Sequence, residues 1–226
     1  KQILNSGFDY DDPNRVNVKR RQITHFRIEH DFKEGFPILQ TKKVFWNGAI
    51  NELKAFLSGY TDVRELKQLK INFWDKDVAN FHNCKVEEVG KQNKNYDMGK
   101  IYSYQMRNWQ GQFDQIQNLV KTLRENPYAT KKIVTMWNPL EVYNKEMCLS
   151  PCHWSWEALV DGDKNLTIKW NQASTDVFLG LPINIVYYST LCHVLARLTG
   201  LKPKGIIGDL TNVHIYHNHF EAVFEQ

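Results

Sequence analysis

The stretch LSPCHWSW, residues 149–156, sets a cysteine and a histidine side by side behind a proline, with tryptophans at 154 and 156 opening an alternating apolar run. A thiol can act as a nucleophile, so Cys152 is a candidate for covalent chemistry; the same residue type also serves as a small buried side chain. A candidate acid lies upstream in VFWNGAINELKAFLS, 44–58, where Phe45, Ala49, Ile50, Leu53, Phe56 and Leu57 recur at helical spacing and Gly59 is a C-terminal stop. Glu52 falls three residues after Ala49 and four before Phe56, on the apolar stripe, with no Lys or Arg three or four residues away in the preceding turn. Buried there, its carboxyl takes a raised pKa; at the stripe's edge it keeps its head in water.

Other polar residues fall at element ends. Lys131 and Lys132 open the strand-like KKIVTMWNP as adjacent cations, and because neighbouring strand residues face opposite ways, at most one serves a given site; a solvated strand end is the ordinary reading. Asn184 stands before a helix of about 185–199 and suits an N-cap. His214, His217 and His219 in HIYHNH lack the spacing and the thiolate or carboxylate shell of a metal site, so no metal is expected.

The elements that must position these groups are a helix at about 112–125 closed by NPY, and a long hairpin made of CHWSWEALV, the turn DGDKN and LTIKWNQ. The chain runs on through ASTDVFLGLPINI into the helix that ends at Gly200. A mixed α and β globule results. With 226 residues, 42% hydrophobic and 13% aromatic, and without a linker-like stretch, the chain reads as one domain, 1–226. Four scattered cysteines suit reduced thiols in a cytosol, and the longest apolar stretch is interrupted by Pro182, Asn184, His193 and Arg197, so no membrane association is expected. A net charge of +4 without a basic stripe interleaved with aromatics gives no reason to expect specific nucleic-acid binding.

Read in order, GFPILQTKKVFW, INELKAFLSG, FWD at 73–75, MGKIYSYQMR, NPYATKKIVTMWNP, LSPCH, QASTDVFLGLPINI and VHIYHNH resemble the thymidylate synthase family from about Arg15 to His219. The resemblance implies an α+β fold whose mixed sheet packs against helices and forms the interface of a homodimer. It implies transfer of a one-carbon unit from 5,10-methylenetetrahydrofolate, the co-substrate, to C5 of dUMP. In that reading Cys152 adds to C6, Glu52 moves protons through ordered water to the base and the folate, and Tyr102 assists removal of the C5 proton. Asn184 reads the base edge, Trp74 packs on the folate, and Asp176 holds its pterin. Ser174 and Arg15 bind the 5′-phosphate, Gln172 belongs to the nucleotide-binding turn, and His214 and Tyr216 bind the sugar hydroxyl. Lys131 and Lys132 complete the partner's phosphate site.

The chain departs from the family pattern at Ala173, where an arginine is usual, at Lys131 and Lys132, which replace arginines, and at Asn212, which replaces an aspartate. Lysines cannot bind phosphate bidentately, so a weaker phosphate site is expected. The family's C-terminal lid segment has no counterpart before Gln226. Three activities stay open: thymidylate synthesis, water capture of the same intermediate to give 5-hydroxymethyl-dUMP, and a catalytically silent dimeric homologue.

Overall fold

Strand β5 (Asn165–Gln172) alternates half-buried and buried residues along its whole length, as a strand with one face on a core must. The computed structural model describes residues 1–11, 18–91 and 96–225. In chain order the remaining elements are α1 (Gln2–Ser6), β1 (Phe8–Asp11), β2 (Lys19–Asp31), α2 (Trp46–Leu57), α3 (Val63–Gln68), α4 (Asp75–Phe81) and α5 (Tyr102–Arg107). Then come α6 (Gln115–Glu125), β3 (Ile133–Thr135), α7 (Pro139–Tyr143), β4 (His153–Val160), β6 (Thr175–Asp176), α8 (Gly180–Thr199), β7 (Lys202–Tyr216) and α9 (Phe220–Phe224).

Among the described residues the strands form one seven-stranded sheet, ordered β1-β2-β7-β5-β4-β3, with β6 also on β7. Strands β5 and β6 run parallel to β7 and the other pairs are antiparallel. Parallel neighbours need a crossover, and α8 provides it, packing on α2, β5 and β7. The fold is α+β with a mixed sheet against helices, as the resemblance implied. No helix among the described residues is long and apolar enough to cross a membrane.

Helix α2 and the β4–β5 hairpin occupy the expected stretches. The turn between β4 and β5 is held by Asp161, whose Oδ1 accepts from Asp163 N and Asn165 N at 3.0 Å each. Helix α6 starts later than its apolar pattern suggested because Asp114 caps it, accepting from Gln117 N at 2.8 Å. The KKIVTMWNP strand is short: Lys131 and Lys132 precede β3, with Lys131 exposed and Lys132 buried.

Asn184 is not an N-cap. Helix α8 begins at Gly180, and the turn before it is closed by Asp176 Oδ1, which accepts from Phe178 N at 2.9 Å and Leu179 N at 3.1 Å. Pro182 does not block this earlier start, because first-turn N–H groups have no intrahelical partner. Asn184 therefore lies within the helix with its side chain free to face the sheet.

Beneath α8, Trp170 of β5 is fully buried and stacks on Tyr188 with ring centroids 4.7 Å apart. Its cross-strand partner on β7 is Gly208, where an added Cβ would lie 2.6 Å from the indole ring. The ring is rigid and enclosed, so the clash cannot be relieved by a side-chain rotation. Gly208→Ala is expected to lower unfolding free energy by about 1–3 kcal/mol, the usual cost of overpacking; an unchanged urea midpoint would show that the two strands separate at no cost.

Candidate active site

A cleft of about 600 Å³ opens between α2, the segment around Trp74, the start of β4, the β5–β6 turn, the start of α8 and the end of β7. Its size suits a small organic ligand. Cys152, part-exposed, lines it just before β4. Two backbone bonds place that residue: Cys152 N donates to the Tyr102 hydroxyl at 2.7 Å, and Cys152 O accepts from Ala173 N at 2.7 Å. Ala173 is tied onward through its carbonyl, which accepts from Asn212 Nδ2 at 2.8 Å. Asn212 takes φ 46°, a left-handed conformation that asparagine tolerates. The thiol-bearing loop is thus pinned between α5 and the β5–β6 turn.

Next to the thiol, the His153 ring stacks on Tyr102 with centroids 4.4 Å apart, and its Nδ1 is 2.6 Å from the Tyr188 hydroxyl. Burial holds the imidazole down to about 3, so His153 is neutral at physiological pH. Burial raises the Tyr102 phenol well above its ordinary value, and it too stays neutral. Elsewhere, burial pushes the Cys148 thiol up to about 12 and the Cys192 thiol up to about 11, which leaves neither as a nucleophile at neutral pH.

Glu52 is 9% exposed on the α2 face toward the cleft. Its surroundings are aromatic: Phe56, one turn on, packs against Tyr102 at 5.4 Å and meets Trp74 edge-on at 5.9 Å. Burial drives the carboxyl up from 4.5 to about 7, against the Trp74 indole N–H, which donates to Glu52 Oε1 at 2.8 Å and favours the charged form. A carboxyl with that pKa both gives and takes protons at neutral pH.

At the other side, Asn184 Nδ2 donates to Gln172 Oε1 at 3.0 Å, and Gln172 Nε2 donates to the Ser174 carbonyl at 2.9 Å. Strand pairing sets Asp176 opposite His214, and the His214 ring meets Tyr216 edge-on at 5.0 Å. Asp176 uses Oδ1 for the turn before α8, and Oδ2 takes no part in those two bonds.

Cys152, Glu52, Trp74, Tyr102, Gln172, Ser174, Asp176, Asn184, His214 and Tyr216 all line this one cleft. Lys131 and Lys132 do not line it in their own chain, and Lys132 Nζ is committed to the Pro127 carbonyl. Arg15 lies outside the described residues. None of the described lining residues is a lysine or arginine, whereas Glu52, Asp77 and Asp176 are acids. Sequence reasoning assigned no role to His153 or Asp77: position beside Cys152 could have flagged the first, and nothing local marks the second. Among the described residues no group of three or more His, Cys, Asp and Glu is arranged to hold a metal ion.

The Glu52 shift has a thermodynamic consequence of definite sign. Its folded pKa exceeds the unfolded one, so the penalty for burying the charge is absent below pH 4.5, grows between 4.5 and about 7, and is complete above. Glu52→Gln removes it. Relative to the unsubstituted chain, the variant is expected to gain up to about 3 kcal/mol of unfolding free energy between pH 4.5 and pH 8; a difference that does not change with pH would mean that Glu52 titrates as in water.

A sequence model of the family described as "Thymidylate synthase" matches residues 1–226. A protein described as "Probable thymidylate synthase", from Escherichia phage T5, is 38% identical over 200 residues, 87% of this chain and 70% of that protein. With a thiol, a dehydrated acid and an amide pair gathered in one cleft, and a match over its whole length, the chain belongs to the thymidylate synthase family of methyltransferase-type enzymes.

Proposed function

We propose that this chain transfers a one-carbon unit from 5,10-methylenetetrahydrofolate to C5 of dUMP through a covalent Cys152 adduct, giving dTMP and dihydrofolate. The observation that carries this reading is the presence of Cys152 in one cleft with a carboxyl whose pKa is near 7. C5 of uracil is a poor nucleophile. Cys152 Sγ adds to C6 and makes C5 an enolate carbon that bonds to the methylene carbon. Glu52 supplies protons to the base edge and to the folate nitrogen that leaves, and accepts them back as the cycle proceeds. Tyr102, whose hydroxyl oxygen already accepts from Cys152 N, assists removal of the C5 proton by donating its O–H to the water that takes that proton. Loss of that proton and of the folate nitrogen gives an exocyclic methylene; hydride from tetrahydrofolate reduces it, and the Cys152 thiolate leaves.

Asn184 suits uracil. With Nδ2 donating to Gln172, it offers Oδ1 to N3–H and its second N–H to O4, while cytosine presents the opposite pair. His214 and Tyr216 bind the sugar, and Ser174 and Arg15 the 5′-phosphate. The co-substrate fits the apolar rim, where Phe73 and Leu179 are half exposed beside Trp74 and can cover a flat pterin held by Asp176. Because the described lining residues include no cation, a second copy is called on for charge: Lys131 is exposed at the start of the strand edge. The sheet face that bears Ile133 also carries an ion-pair ladder of Arg27, Asp209, Lys169 and Glu157, and this is the face on which we place the homodimer. Such a protein works in the cytoplasm, or in that of a host.

Incubation with 5-fluoro-dUMP and methylenetetrahydrofolate is expected to add the mass of both to the Cys152 peptide, with no adduct in Cys152→Ser. With dUMP itself, dTMP and dihydrofolate are expected; 5-hydroxymethyl-dUMP with tetrahydrofolate would mean that water captures the methylene, and no adduct at all would identify a silent homologue.

A further inference from the structure

An amide side chain is nearly symmetrical in shape, so a site that reads a pyrimidine edge with asparagine must hold the amide one way round. Reversed, Asn184 would present the pattern that suits cytosine. What orients it lies beneath the cleft. Asn184 Nδ2 meets Gln172 Oε1 at 3.0 Å, and that same oxygen accepts from the Trp170 indole N–H at 3.1 Å. An indole N–H can only donate. The Gln172 atom facing it is therefore the oxygen, and the Asn184 atom facing that oxygen is the nitrogen. A second one-way group agrees: the Ser174 carbonyl can only accept, and takes Gln172 Nε2 at 2.9 Å.

The two anchors differ in rigidity. Ser174 lies in the part-exposed turn between β5 and β6, whereas Trp170 is fully buried in mid-sheet, stacked on Tyr188 and seated on Gly208. Gln172 itself is 3% exposed. We propose that Trp170 is a positioning residue for base specificity: through Gln172 it fixes which way the Asn184 amide faces, and so selects uracil over cytosine. This rests on the nucleotide reading of the cleft given above. Trp170 touches no substrate; it acts through two amides.

The test is Trp170→Phe, which keeps an aromatic ring against Tyr188 and deletes the N–H. The reading is the ratio of kcat/KM for dUMP and dCMP, followed by release of tritium from C5 in the presence of methylenetetrahydrofolate. The unsubstituted protein is expected to favour dUMP, and the variant to lose about fivefold of that preference, the equivalent of one hydrogen bond at ~1 kcal/mol. Loose packing would slow both nucleotides alike, so equal losses with an unchanged ratio would overturn the proposal and leave Trp170 as core. If the unsubstituted protein shows no preference for dUMP, the base reading of Asn184 falls, and this inference with it. Should the phenylalanine chain fail to fold, 3-benzothienylalanine at the same position keeps the bicyclic shape without an N–H and carries the same expectation.

Discussion

The exclusion of water from Glu52 is the constraint around which the rest of the site is arranged. A carboxylate in an aromatic enclosure loses hydration that one indole N–H cannot replace, and the result is an acid that stays half protonated near neutrality. Every neighbour bears on this. Phe56, one turn further along α2, and Tyr102, from α5, wall it off, and Trp74 both packs against them and supplies the hydrogen bond. Helix α8 presses on α2, and the neutral His153 and Tyr188 add dipoles without adding charge. The fold thus spends stability on a group that would be more comfortable in water, as sites for proton transfer commonly do.

The same economy governs the amide-lined side of the cleft. Under the proposed function, base specificity there is carried by groups whose hydrogen-bonding role cannot be reversed, an indole N–H and a backbone carbonyl, acting on amides whose role can. The indole is fully buried in the central strand β5 under α8, and the carbonyl belongs to Ser174 in the part-exposed turn that follows that strand. The thiol is held differently, by backbone bonds at either side of Cys152 that leave the side chain facing the cleft. The proposed nucleophile, proton carrier and base reader therefore come from separate elements, brought together by one crossover helix and the turn that precedes it.

Much of this was legible in the chain. The place of Glu52 on an apolar stripe marks it as a candidate for burial, because helical periodicity reports which side of a helix faces the core. Alternation marked the β4–β5 hairpin for the same reason. Long-range partners are another matter. Periodicity says that Trp170 is buried, but not that its N–H meets Gln172, nor that Tyr188 finds His153, since both depend on how α8 lies across the sheet. The cap reading of Asn184 fails because local rules favour asparagine at a helix start and do not see that Asp176 has already closed the turn. Lys132 shows the same limit: a cation at a strand end reads as solvated until the NPY loop folds over it and its ammonium finds the Pro127 carbonyl.

The most direct test is to titrate the Glu52 carboxyl itself by infrared difference spectroscopy, comparing the unsubstituted protein with Glu52→Gln. A protonated-carboxyl C=O band, lost in the variant, should disappear with a midpoint near pH 7. A midpoint near 4.5 would contradict the account, because a carboxyl that ionises as in water is neither dehydrated nor able to carry protons at neutral pH.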